Sequence, residues 1–140
     1  MATRKVRDLA GSEKLDLLLS GDNTNGWSLT HAPAEKTLLT ASGTASSSGD
    51  NTLISAPGAG VKIVIVGVTL QLEGATATTL RLTNGASGST ISRILAQNQG
   101  DGLAITFPID ARPKLSANTA LVLNLSGANA CGYTIWYYTE

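Results

Sequence analysis

The run Val-Lys-Ile-Val-Ile-Val-Gly-Val-Thr-Leu-Gln-Leu, residues 61–72, is the longest, most β-branched and most apolar stretch in the chain. Branched side chains lose rotamer freedom in a helix and pack well on a pleated surface, so the run is expected as a strand. Side chains alternate faces along a strand. That puts Val64, Val66, Val68, Leu70 and Leu72 on one face and Ile63, Ile65, Gly67, Thr69 and Gln71 on the other. The first face reads as core throughout. The second is apolar only before Gly67, so a partner is expected to cover Ile63 and Ile65. Leaving both in water would forfeit about 3–6 kcal/mol, at about 1.5–3 kcal/mol for each side chain.

Further strand-like runs lie on either side, at residues 37–40, 52–55, 78–83, 91–97, 103–107, 119–125 and 133–139. Alternation is plain in Leu80/Leu82, Leu103/Ile105/Phe107 and Leu121/Leu123/Leu125, and helical periodicity is absent after residue 40. Turn chemistry separates the runs: Pro57-Gly58, Gly74-Ala75, Asn84-Gly85, Gly100-Asp101-Gly102, residues 108–113 and Gly127-Ala128-Asn129. Eight short strands so punctuated predict an all-β chain, a jelly-roll-like β-sandwich of about eight antiparallel strands over residues 52–140. An immunoglobulin-like sandwich is the alternative, without the Cys and Trp spacing of that fold. The last run is two-faced like the first. Tyr133, Ile135 and Tyr137 share one side and Thr134, Trp136 and Tyr138 the other, and aromatic side chains are favoured anchors of protein interfaces. Ile63, Ile65, Trp136 and Tyr138 are therefore the expected oligomer interface.

Residues 1–40 carry half of the charges: Arg4, Lys5, Arg7, Lys14 and Lys36 against Asp8, Glu13, Asp16, Asp22 and Glu35. This segment reads as an N-terminal arm whose apolar residues Leu15, Leu17, Leu18, Leu19, Trp27 and Leu29 dock on another surface. Residues 41–51, rich in Ser, Gly, Thr and Ala, read as a linker. Ser-Gly-Asp-Asn-Thr occurs at 20–24 and again at 48–52, which is shared turn chemistry. One carboxylate in each copy is a poor calcium ligand set.

Only 14% of the residues are charged, and ten basic side chains balance ten acidic ones. A chain without net charge has no long-range field to gather nucleic acid or an anionic membrane. No apolar run is long enough to span a bilayer and the first residues lack the apolar block of a secretory signal, so synthesis in the cytoplasm is expected. The single cysteine, Cys131, excludes an intrachain disulfide and a multi-cysteine metal site, and reads as a small buried hydrophobe. The single histidine, His31, has no recognisable base or nucleophile partner. A carboxylate pair for glycoside hydrolysis would have to come from Asp50, Glu73, Asp101 and Asp110, most of them in turns where Asp is ordinary. Residues 56–62 have the glycines of a phosphate loop but lack its Lys-Ser/Thr ending and lead into a strand. No enzyme, metal or cofactor is expected. A lectin-like role remains open, since Trp27, Trp136 or Tyr138 beside Asn and Asp could stack on a sugar.

Three stretches carry a family resemblance: Leu-Ile-Ser-Ala-Pro-Gly-Ala-Gly-Val-Lys-Ile-Val-Ile at 53–65, Asn-Gln-Gly-Asp-Gly-Leu at 98–103, and Leu-Asn-Leu-Ser-Gly-Ala at 123–128 leading to Tyr133 and Tyr137-Tyr138. In style and pattern, residues 53–140 resemble the small jelly-roll structural proteins of tailed bacteriophage virions, in particular capsid decoration (cement) proteins and head-fibre or tail-associated modules. The resemblance implies a trimer on the capsid exterior that binds the major capsid protein, or another virion protein, and stabilises the shell. The alternative it leaves is a receptor- or glycan-binding module of a fibre or tail. The first 40 residues fall outside it, and their role as a capsid-gripping arm follows from position.

Overall fold

The computed structural model describes residues 36–140. Its eight strands are β1 (Leu39–Ala45), β2 (Gly49–Ile54), β3 (Ile63–Leu72), β4 (Thr78–Asn84), β5 (Ser89–Ala96), β6 (Gly102–Thr106), β7 (Leu121–Leu125) and β8 (Cys131–Thr139). They form two four-stranded sheets, in the orders β1-β8-β3-β6 and β2-β7-β4-β5. All pairings are antiparallel, and β1 pairs with β8, β2 with β7, β3 with β6 and β4 with β5. The chain is thus one long ribbon folded back at the β4–β5 turn and rolled until β3 meets β8 and β4 meets β7. That strand order is the jelly roll.

The β4–β5 turn is built for this reversal. Gly85 has φ +84° and Ser87 φ +55°, the left-handed region that Gly adopts without strain. A Cβ on Gly88 would collide with the Asn84 carbonyl.

β3 departs from simple alternation. Against β8 its register runs Ile63↔Thr139, Val64↔Tyr138 and Ile65↔Tyr137, then skips to Gly67↔Trp136 and Val68↔Ile135. Val66 is the extra residue of a β-bulge, and it reverses the facing of everything after it. Before the bulge Ile63 and Ile65 point inward; after it Val68, Leu70 and Leu72 do. All five belong to the single buried cluster between the sheets, whereas Val64 does not. This corrects the expected interface: Ile63 and Ile65 are fully buried in this chain's own core and face away from any partner. The sheet needs no external cover there, because one inserted residue lets both halves of the apolar run serve the same core.

The second correction concerns residues 41–51, expected as a linker. They are mostly strand. In β1 the positions aimed inward are Leu39, Ala41, Gly43 and Ala45, and at Gly43 a ring of β8 already fills the space. A Cβ on Gly43 would lie 2.9 Å from the Tyr133 hydroxyl. Asn51 ties the β1–β2 turn, its amide donating to the carbonyls of Ser47 (2.7 Å) and Gly49 (3.0 Å). The compact unit accordingly begins at Thr37. The arm residues Leu15, Leu17, Leu18, Leu19, Trp27 and Leu29, and His31, lie outside the described residues.

Below the point where β6 ends, the segment after it takes over the open edge of β3. The Ile65 amide donates to the Pro113 carbonyl (3.0 Å), Leu115 N to Ile63 O (2.9 Å) and Asn118 N to Val61 O (2.8 Å). Leu115 is buried and joins the core.

If Ile65 is core, Ile65→Ala should lower the unfolding free energy by about 2–5 kcal/mol in urea titration. The association state of the folded fraction should not change. Dissociation without loss of stability would restore the interface assignment.

Candidate functional site

The outward positions of the β1-β8-β3-β6 sheet form a grid. One row across it is Thr40, Trp136, Gly67 and Thr106; the next is Ser42, Thr134, Thr69 and Ala104; the third is Thr44, Gly132, Gln71 and Gly102. No position in these rows is charged. The small side chains leave an open concavity of about 570 Å³ over Thr69, Thr134, Gln71 and Ala104. The Thr69 hydroxyl reaches the Thr134 carbonyl at 3.5 Å.

Trp136 stands in the row next to this trough. The bulge puts Gly67 beside it, and a Cβ there would sit 3.3 Å from the indole Cε3 and 3.3 Å from the Ile105 carbonyl. Gly67 is therefore the seat of the indole. Tyr138 follows on the same face, two residues along β8. The Arg112 guanidinium lies over its ring, 5.8 Å from the centroid, within the range of a cation–π contact. Lys114 forms an ion pair with Glu140 at 3.0 Å, and that hydrogen bond, with the carboxylate's charge, holds the Lys114 ammonium above its ordinary pKa.

Of the four predicted interface residues, then, the structure brings Trp136 and Tyr138 together on one half-buried outward face and sends Ile63 and Ile65 to the other side of the sheet. Gly67 is the signal that marks the bulge in the sequence, because a glycine inside a strand often marks one.

Two of the four carboxylates considered for catalysis, Asp50 and Asp101, are engaged locally. Asp50 accepts from the Asn124 amide (2.6 Å) and from Ser87 N (2.8 Å), fastening β2 to β7 and to the β4–β5 turn. Those bonds, Asn124 first, hold its carboxyl below the usual range, helped by the charge of Arg81. Asp101 accepts from Asn98 N and Gln97 N, both at 2.9 Å, and is lowered for the same reason. Cys131 is buried in the core, and burial pushes its thiol pKa up. Among the described residues no group of three or more His, Cys, Asp or Glu side chains could hold a metal ion. No helix among them is long and apolar enough to cross a membrane.

One feature was hidden from sequence reasoning. Leu38, Leu39, Leu95, Ile105 and Ile109 are large apolar side chains left exposed. Leu38 and Ile109 lie outside the strands, Leu95 faces outward opposite Thr79, and Leu39 and Ile105 lie on the edge strands β1 and β6.

No protein-family profile and no curated protein matches the chain. Among solved structures it is similar to a chain of Bacillus endospore appendages, described as a novel family of disulfide-linked pili. The identity is 15% and the TM-score 0.35, over 76% of this chain and 93% of that one. It is also similar to PirA, at 17% identity and TM-score 0.34, over 79% and 99% of the two chains. At these scores the likenesses carry no functional argument.

The lowered carboxyls of Asp50 and Asp101 predict a contribution to stability that acid removes. A group whose folded pKa is depressed contributes stability that is present above its unfolded value, here 3.8, and lost as pH falls through the folded one. Urea midpoints should thus be flat from neutral pH to about pH 5 and fall below about pH 4. In the Asp50→Asn/Asp101→Asn double variant the acid slope should be shallower; an unchanged slope would assign it to other groups.

Proposed function

We propose that this chain is a non-enzymatic virion structural protein, a jelly-roll homo-oligomer that decorates and stabilises a phage capsid by binding non-covalently to the outer shell. The observation that carries the reading is the outer face of the β1-β8-β3-β6 sheet. It is broad and built largely of small hydroxyl and glycine positions, and it ends in the half-buried aromatics Trp136 and Tyr138; the Glu73 carboxylate reaches it at Gly132 and the Arg112 guanidinium at Tyr138. A face of this kind suits contact with another protein surface. It has few groups to titrate or for salt to screen, so such a contact would hold across changes of medium. The strand order agrees with what the resemblance implies for the fold. Three copies, each with an N-terminal arm in residues 1–35, would engage a shell with avidity, since each bound arm raises the effective concentration of the others.

A second reading has one observation in its favour. The concavity over Thr69, Gln71 and Thr134 offers hydroxyl and amide groups, with Tyr133 among its lining residues, a combination that takes a sugar ring. On that reading the chain is a glycan- or receptor-binding module of a fibre or tail.

Locating the chain in a virion reconstruction separates the two: copies on the shell support decoration, and copies at a fibre tip overturn it. Deletion of residues 1–35, which leaves β1 whole, should give a folded protein of unchanged association state that no longer co-sediments with capsids. Retained co-sedimentation would remove the arm from the mechanism.

A further inference from the structure

We infer that Arg81 and Arg93, side by side on the outer face of the β2-β7-β4-β5 sheet, form a binding site for a phosphate group. The eight strands together contain three charged residues: Asp50 on β2, Arg81 on β4 and Arg93 on β5. All three fall in one row. Asp50 stands in register with Asn124, Asn124 with Arg81, and Arg81 with Arg93. The row faces outward, because Leu80 and Leu82 flank Arg81 along β4, Leu123 and Leu125 flank Asn124 along β7, and all four leucines lie in the core. Strands that carry no other charge thus set two guanidiniums directly opposite each other, an arrangement that by itself costs stability.

Nothing in the row neutralises the pair. The Asp50 carboxylate is taken up by the Asn124 amide (2.6 Å) and by Ser87 N (2.8 Å), and it forms no ion pair with Arg81. Neither arginine has a hydrogen-bond or ion-pair partner among the described residues. Arg93 is exposed and Arg81 half-buried, and the Arg81 Nε is shut off from water without an acceptor. A buried donor left so is rare in a folded protein and calls for a partner.

The chemistry of that partner follows from the pairing. Side chains directly opposite on antiparallel strands start from Cβ atoms about 4.5–5.5 Å apart, so the two guanidiniums can converge on one group. Each is a planar fork that matches two oxygens of an anion. A carboxylate has two oxygens, which one fork occupies, whereas a phosphate group has oxygens for both. Inorganic phosphate and the phosphodiester of a larger molecule share this chemistry. The site lies on the other sheet from the trough and is independent of the decoration reading.

The test uses the full chain labelled with nitrogen-15, at ionic strength held constant with sodium chloride. Inorganic phosphate, dimethyl phosphate and acetate are titrated separately while the side-chain Nε–H resonances of Arg81 and Arg93 are followed. Inorganic phosphate should move both resonances along one saturating curve, and acetate should bind about tenfold more weakly or less, having lost one charge-assisted fork. Saturation by inorganic phosphate alone identifies the free anion as the ligand; saturation by dimethyl phosphate as well extends the site to phosphodiesters. Arg93→Gln changes an exposed side chain, so circular dichroism should match the parent. In that variant the Arg81 resonance should report phosphate binding weakened about tenfold or more. Shifts in the parent that never saturate, acetate binding as tightly as phosphate, or an Arg93→Gln variant that binds as the parent does would each overturn the site.

Discussion

Everything in this fold depends on one inserted residue. An apolar run of ten strand residues cannot present its large side chains to a single core while it alternates, because half of them must turn away. Val66 resolves the conflict by shifting the phase, so Ile63 and Ile65 on one side of it and Val68, Leu70 and Leu72 on the other all enter the same layer. The shift has two further effects. It leaves Gly67 outward, where the Trp136 indole can lie against the backbone. It also bends the central strand of a sheet whose outer face is a concavity, and local bending with stronger twist is what a bulge produces.

The rest of the sheet is fitted to what β3 and β8 supply. β8 brings tyrosines inward at Tyr133 and Tyr137, both packed against the core, and β1 sets Gly43 opposite Tyr133 and Leu39 opposite Tyr137. At Tyr133 a large group faces a glycine, which keeps density high there. The Glu73 carboxylate lies beside Gly132 at the margin of the trough, and other ionic groups serve turns and chain ends: Asp50 at the β4–β5 turn, Asp101 before β6, and Lys114 with Glu140.

The legibility of this structure in its sequence follows from the same facts. β3, β4, β6, β7 and β8 could be read directly, because alternating Leu, Ile and Val between glycine-rich turns has few other solutions. β1 and most of β2 could not, since an edge strand whose inward positions after Leu39 are Ala and Gly has the composition of a linker. The outward placement of Trp136 and Tyr138 was legible from the alternation of β8, which no bulge interrupts. The burial of Ile63 and Ile65 was not. Counting by twos through Gly67 yields the wrong face, although the change from apolar to polar at that glycine was visible. The exposed edge residues were out of reach, because strand order within a sheet is a property of the rolled ribbon and leaves no local mark.

Pairing each strand with its mirror image along the chain also governs when the fold can form. β3, the most apolar strand, has β8 as its longest partner, and β8 is made after the other seven described strands. β1 has β8 as its one neighbour in the sheet. Until residue 139 is free, the first sheet cannot close, and the loops that must be closed span most of the domain, at a cost in chain entropy that comes before any contact repays it. The β4–β5 hairpin needs no such wait and can form as soon as it is made. Closure is therefore available first in the middle of the ribbon and last at its ends, and until β8 is made the valine- and isoleucine-rich β3 lacks its longest partner, the period when a chain is open to misassociation.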